Sequence, residues 1–163
     1  MSNPQLNFSA TTKLGQIRSG VRVIKPHIEG SALKLRQVHV WALWDTGAVT
    51  SGISRRAAEA LGLEVTQLTI MSTAAGDVSA VKDVVLLDLC FDNTIIPVMA
   101  AIVDKIPGTD NDFLIGMDVI SYGDFSLRTD HTRSEYIVSF KPYPGAFKTI
   151  EDALNLPNPI TLK

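Results

Sequence analysis

The chain has 163 residues, 45% of them hydrophobic and 20% charged, with a formal net charge of −2. That balance suits one compact domain with a real core. It lacks the dense basic patch that nucleic acid or an anionic membrane surface would select. No apolar run approaches the roughly 20 residues of a membrane-spanning helix. The single cysteine, Cys90, excludes an internal disulfide and a cysteine-built metal site. The opening MSNPQLNFSATTK has no basic start followed by an apolar stretch, so no signal peptide is expected, and a reducing cytoplasm is the expected compartment.

Most of the chain reads as short strands separated by turn chemistry. GVRVIKP (20–26) and LKLRQVHVWALW (33–44) are rich in β-branched and aromatic residues, with HIEGS between them as a turn. Then comes SRRAAEALGL (54–63), the one clear helix: Ser54 is a natural N-cap, Ala57, Ala58 and Leu61 share a face, and Gly62 stands where the helix ends. EVTQLTIMST (64–73) and DVSAVKDVVLLDLCF (77–91) form a long hairpin around AAGD, where Gly76 can adopt the positive φ of a tight turn. TIIPVMAAIV (94–103) is a further strand and IPGTDND (106–112) a loop. FLIG (113–116) is a very short apolar strand that stops on glycine, and MDVISYGD after it carries one or two helical turns. FSLRT and EYIVSFK make a last hairpin around DHTR, and a short helix is expected in the tail before PNP ends it. The expected class is mostly β, with one or two short helices.

The chemistry concentrates at ALWDTGAV (42–49), where an apolar strand runs into Asp45 and turns at once. A bare Asp-Thr-Gly is weak evidence, since such an aspartate is more often a turn-former or a cap. Three features raise its standing. Gly47 lets the backbone fold close behind the carboxylate, so that its N–H can donate to Asp45. FLIG can pack beneath the turn and stiffen it. The hairpin 64–91 is long enough to fold over a cleft. The histidines, His27, His39 and His131, have no mutual spacing that suits metal ligation, and Cys90 in LLDLCF reads as a core residue.

ALWDTGA and FLIGMDVIS, with a hairpin between them, resemble the retropepsins, the single-domain aspartic proteases of retroviruses and their cellular relatives. The resemblance spans residues 16–141; residues 1–15 are an N-terminal extension, and a role in a dimer is open for the C-terminal tail (142–163). It implies a retropepsin-like closed β-barrel with a flap hairpin, and an aspartic endopeptidase that uses neither cofactor nor metal. Asp45, Thr46 and Gly47 would be the catalytic motif. Ala48, Val49, Met71, Ala75, Gly76, Asp77 and Val78 would contact a peptide or protein substrate, with Ala75, Gly76 and Asp77 at the flap tip and Met71 and Val78 beneath it. Ile115 and Gly116 would support the loop from below. Aspartic protease chemistry needs two carboxylates, and the chain holds one Asp-Thr-Gly and no Asp-Ser-Gly, so the resemblance implies a homodimer with one site between subunits.

Retroviral members of the family carry an acid after Asp-Thr-Gly-Ala and an arginine after the late glycine. Here those places hold Val49 and Met117. Losing both together is physically coherent, because one alone would strand a charge; an apolar pair is expected to fill the volume. Two other readings compete. An Asp-x-Gly phosphate loop of the actin-like ATPases would need two large α/β domains, which this chain is too short and too β-rich to form. A retropepsin-like fold used only for binding or dimerisation is the serious rival, although an intact Asp-Thr-Gly-Ala argues against it.

Overall fold

A computed structural model of the chain describes residues 6–10, 16–26, 36–71, 80–91, 94–108, 110–133, 135–143 and 148–149. The elements run β1 (Leu6–Ala10), β2 (Ile17–Ile24), β3 (Gln37–Trp44), β4 (Gly52–Ser54), α1 (Arg55–Leu61), β5 (Val65–Met71), β6 (Ala80–Phe91), β7 (Thr94–Val103), β8 (Asn111–Ile115), α2 (Met117–Ile120), β9 (Gly123–Asp130), β10 (Glu135–Pro142) and β11 (Lys148–Thr149). The protein is mostly β, as expected from the alternating apolar runs.

Six strands close on themselves. The order β7-β4-β8-β3-β2-β6 returns to β7 through the antiparallel β6–β7 ladder, which runs from Val84↔Ala101 to Phe91↔Thr94. Closure removes the open edges that a flat sheet of this size would present. Two pairings are parallel, β3 with β8 and β4 with β7, and both lie beside the Asp45 turn. β5 extends the sheet from β6 as the outer arm of the long hairpin.

The barrel interior is filled by Val23, Val38, Val85, Leu87, Leu89 and Phe113, each fully or almost fully buried. Burying a side chain of this size contributes about 1.5–3 kcal/mol. A second sheet, β1-β10-β9, packs against the end of β3. Its Phe125 and Phe140 pack on Trp44 with ring centroids 5.4 Å away in each case, and Phe91 joins at 5.9 Å. The Trp44 indole N–H, buried with these rings, donates to Ser19 Oγ at 2.9 Å, so its one polar atom is satisfied. The residue immediately before Asp45 is thereby held on all sides.

α1 forms as its caps predict. Ser54 Oγ accepts from Ala57 N–H, and Gly62 takes a left-handed conformation at φ 63°. Leu63 N–H returns to Ala58 O, and the Lys25 ammonium donates to Gly62 O at 2.6 Å. A cation at a helix C-terminus is favourably placed. Ala57, Ala58 and Leu61 face the core.

Four details differ from the sequence expectations. Residues 6–10, in the N-terminal extension, form β1 against β10. β8 begins at Asn111, inside the stretch read as loop, because Asn111 and Asp112 are buried by neighbours distant in sequence. β4 is too short to show any period. In the tail, Lys148–Thr149 pairs with β7 as strand; the remainder of the expected tail helix lies outside the described residues, as does the HIEGS turn.

Candidate active site

β3 changes character along its length. Its first half alternates, with His39 and Trp41 exposed, whereas Ala42, Leu43 and Trp44 are all buried. The strand therefore dives between neighbours on both faces before it stops. β8 lies parallel beside it, pairing Trp44 with Ile115. Asp45 N–H carries the ladder one step further by donating to Ile115 O at 2.9 Å.

The backbone then turns. Gly47 N–H donates to Asp45 Oδ1 at 2.9 Å and Ala48 N–H to Asp45 O at 3.2 Å. Asp45 is half-buried while Thr46 and Gly47 are exposed, so the carboxylate stands at the rim of the turn. Among the described residues no group bonds its second oxygen. A Cβ on residue 47 would lie 3.2 Å from Asp45 Oδ1, which is tight for the bond that orients the carboxylate.

The loop rests on the segment after β8. Met117 N–H donates to Ala48 O at 2.7 Å and Asp118 N–H to Val49 O at 3.1 Å. Ile115 and Gly116 are buried beneath it. A Cβ on Gly116 would stand 2.8 Å from Thr50 C and 3.0 Å from both Ala48 O and Ser51 N. These are backbone atoms with nowhere to retreat, so only glycine admits this approach. The FLIG run thus sits directly under the Asp45 turn, and the structure brings Asp45, Thr46, Gly47, Ala48, Val49, Ile115 and Gly116 into one place.

The remaining predicted site residues are less fully described. Met71 ends β5, where its backbone pairs with Ala80. Ala75, Gly76, Asp77 and Val78 lie outside the described residues. Val49 and Met117 do not fill a volume within the chain. Val49 is 79% exposed and Met117 37% exposed, so both large apolar side chains face outward beside the turn.

Two residues that sequence reasoning passed over complete the loop's support. Ser51 is fully buried. Its N–H donates to Asp118 Oδ2 at 2.9 Å and its hydroxyl to Asp118 Oδ1 at 2.7 Å. The same hydroxyl accepts from Gly116 N–H at 3.0 Å, and Ser51 O accepts from Ala101 N–H at 3.0 Å. The available signal was an acidic residue in the first turn of a helix opening after glycine.

A second carboxylate, Asp112, lies at the other end of β8 and is buried. It accepts from Ser54 Oγ at 2.6 Å and from Arg56 Nε at 2.7 Å, with Arg56 Nη2 on its other oxygen. Burial pushes its carboxyl upward, but the hydrogen bonds from Arg56 and Ser54 prevail and hold it below the ordinary carboxylate range.

The comparisons with known proteins agree with this fold. A family model described as aspartyl protease matches residues 31–119, more than half of the chain. The chain belongs to that aspartyl protease family. Among solved structures it is similar to a retropepsin-like aspartic protease from Rickettsia conorii, with a TM-score of 0.53 and 15% sequence identity, over 88% of this chain and 98% of that one. At that identity the likeness is one of fold, and the fold is retropepsin-like. No curated protein matches the chain.

Proposed function

We propose that the protein is an aspartic endopeptidase that works as a homodimer, with the two Asp45 carboxylates facing each other across a two-fold axis. The observation that carries this reading is the half-site itself. One aspartate stands at the end of a buried strand, aimed by Gly47 N–H, in a loop bonded at four positions to the segment beneath it. A single Asp-Thr-Gly per chain makes the second copy necessary for the chemistry.

In the dimer the paired carboxylates stand about 3 Å apart and share one proton. The ionised member takes a proton from a water molecule, whose oxygen attacks the peptide carbonyl carbon. The protonated member donates to the carbonyl oxygen, giving a tetrahedral gem-diol. Collapse breaks the C–N bond: one gem-diol hydroxyl passes its proton to the ionised carboxylate while the protonated one gives its proton to the leaving nitrogen, which restores the singly protonated dyad. Thr46, exposed at the turn, is assigned to the contact that locks the two loops across the axis. Ala48 and Val49 flank an extended substrate; Ala75, Gly76 and Asp77 are assigned to the flap tip that closes over it and excludes water, and Met71 and Val78 to the flap's underside.

Asp45→Asn tests the reading. The expected result is loss of peptide-library cleavage by about a thousandfold or more, with the circular dichroism spectrum and sedimentation of the folded protein preserved. Unchanged cleavage would sink the protease reading and leave a retropepsin-like binding or dimerisation module. Specific activity of the wild type is expected to fall on dilution, because separated chains each hold half a site. Its pH–rate profile is expected to be bell-shaped and centred on the acidic side of neutral.

A further inference from the structure

We propose that Asp118 is a positioning residue for the Asp45 carboxylate, acting through Ser51. The inference rests on the protease reading for its kinetic consequences, although the contact itself does not. Its basis is the way every polar group of one buried serine is used. Ser51 N–H and hydroxyl both point to the Asp118 carboxylate, its hydroxyl oxygen takes Gly116 N–H, and its carbonyl takes Ala101 N–H. The residue therefore ties together the end of the Asp45 loop, strand β7 and the glycine under the turn.

The direction of the hydroxyl proton follows from these partners. Gly116 N–H can only donate, so the Ser51 oxygen accepts there and its proton goes to Asp118 Oδ1. Asp118 then receives two donated bonds, one on each oxygen. This requires two acceptor oxygens; an amide offers one acceptor and would set its NH2 against a donor. Asp118 also gives its own N–H to Val49 O, so one residue grips the loop at 49 and at 51. Among the described residues it has no basic partner, and its carboxylate is held by the two hydrogen bonds from Ser51.

Asp45 lies at the far end of that gripped segment. Its other anchors are its own N–H, which donates to Ile115 O, and the turn bonds it accepts from Gly47 N–H and Ala48 N–H. Loss of the Ser51–Asp118 bonds leaves the loop held by backbone bonds at 45, 48 and 49 and lets its far end shift against Gly116. In a two-fold dimer a shift toward or away from the axis is doubled in the separation of the paired carboxylates. Displacement of reacting groups by about 1 Å costs roughly a hundredfold in rate, so a structural hydrogen bond at this place has a catalytic consequence.

The test compares wild type, Asp118→Asn, Ser51→Ala and the double variant by peptide-cleavage kinetics and by amide hydrogen exchange. Asp118→Asn is expected to lower kcat roughly ten- to a hundredfold with KM within about twofold. The bell-shaped pH–rate profile is expected to narrow, because carboxylates held less closely titrate in steps that lie nearer together. The double variant is expected to be no worse than the worse single, since both changes break one contact. Should Asp118→Asn fail to fold, Ser51→Ala, which keeps the Ser51 N–H bond to Asp118, carries the same kcat and pH-profile expectations. Unchanged kcat, an unaltered pH profile, or losses that multiply in the double variant would overturn the proposal. Exchange at Ala48 and Met117 separates this outcome from failure of the protease reading. Faster exchange in Asp118→Asn of a protein whose wild type cleaves no peptide rejects the protease reading and leaves the positioning contact standing. Unchanged exchange rejects the contact itself.

Discussion

Two serine–aspartate pairs bracket the short ladder between β4 and β8, and they are built for different ends. Ser51 and Asp118 close the end beside Asp45; Ser54 and Asp112 close the opposite end, beside α1. In both, a buried serine hydroxyl donates to a carboxylate far away in sequence. The difference is the third partner. Asp112 is met by the Arg56 guanidinium, whose side chain is 50% exposed and so reaches to solvent. Asp118 is met by backbone and hydroxyl donors that have no freedom to leave. An ion pair holds a helix start to a strand, where modest movement is harmless. Fixed dipoles hold the loop that carries the reactive group, where geometry is the requirement.

Substitution can separate the two ends. The largest effect is expected at Gly116→Ala, which forces a Cβ against three backbone atoms of the loop. Overpacking of this kind costs about 1–3 kcal/mol, and peptide cleavage should fall further than urea denaturation would explain. Next is Arg56→Ala, which leaves the buried Asp112 with Ser54 as its remaining side-chain donor. Breaking a buried pair costs about 3–5 kcal/mol, and half exposure of Arg56 reduces the expectation to about 2 kcal/mol, read from urea midpoints at pH 7.

The same variant has a pH signature. The folded-state pKa of Asp112 is depressed, so its contribution to stability is fully present above its unfolded pKa near 4 and is lost as pH falls through the lower folded value. Urea midpoints of the wild type should therefore decline below about pH 4. Arg56→Ala should decline less across the same range, and an equal decline would remove Asp112 from the acid response. The smallest effect is expected at Ser54→Ala, which deletes the α1 cap and one Asp112 bond for about 1 kcal/mol, with kcat unchanged. A loss of kcat there matching that of Ser51→Ala would erase the contrast between the two ends.

Local features were legible in the residues. Ser54 and Gly62 mark the ends of α1 because caps depend on the residue's own side chain and φ. The abrupt stop of ALW on Asp45 marks the end of a buried strand, and Gly47 marks the bond that aims the carboxylate. Gly116 was legible as support for the turn because an apolar strand ending on glycine can pack that closely. The family resemblance added the expected barrel, which the six-strand ring bears out.

What escaped were contacts between residues far apart along the chain. Asp118 is one of several aspartates that lack the Thr-Gly continuation, and nothing in MDVIS announces that it meets a serine 67 positions earlier. Asp112 sat in a stretch with the composition of a loop, yet Arg56 and Ser54 make its burial tolerable. β4 has three residues, too few for a period to show.

The sequence alone determined the β class, the helix caps and the candidate catalytic motif, because each depends on preferences expressed within a few neighbouring residues. Tertiary structure alone decided which serine meets which aspartate and how the barrel closes. It also left Val49 and Met117 facing outward. Those outcomes depend on strand register, which brings distant groups within hydrogen-bond reach only once the whole sheet has formed.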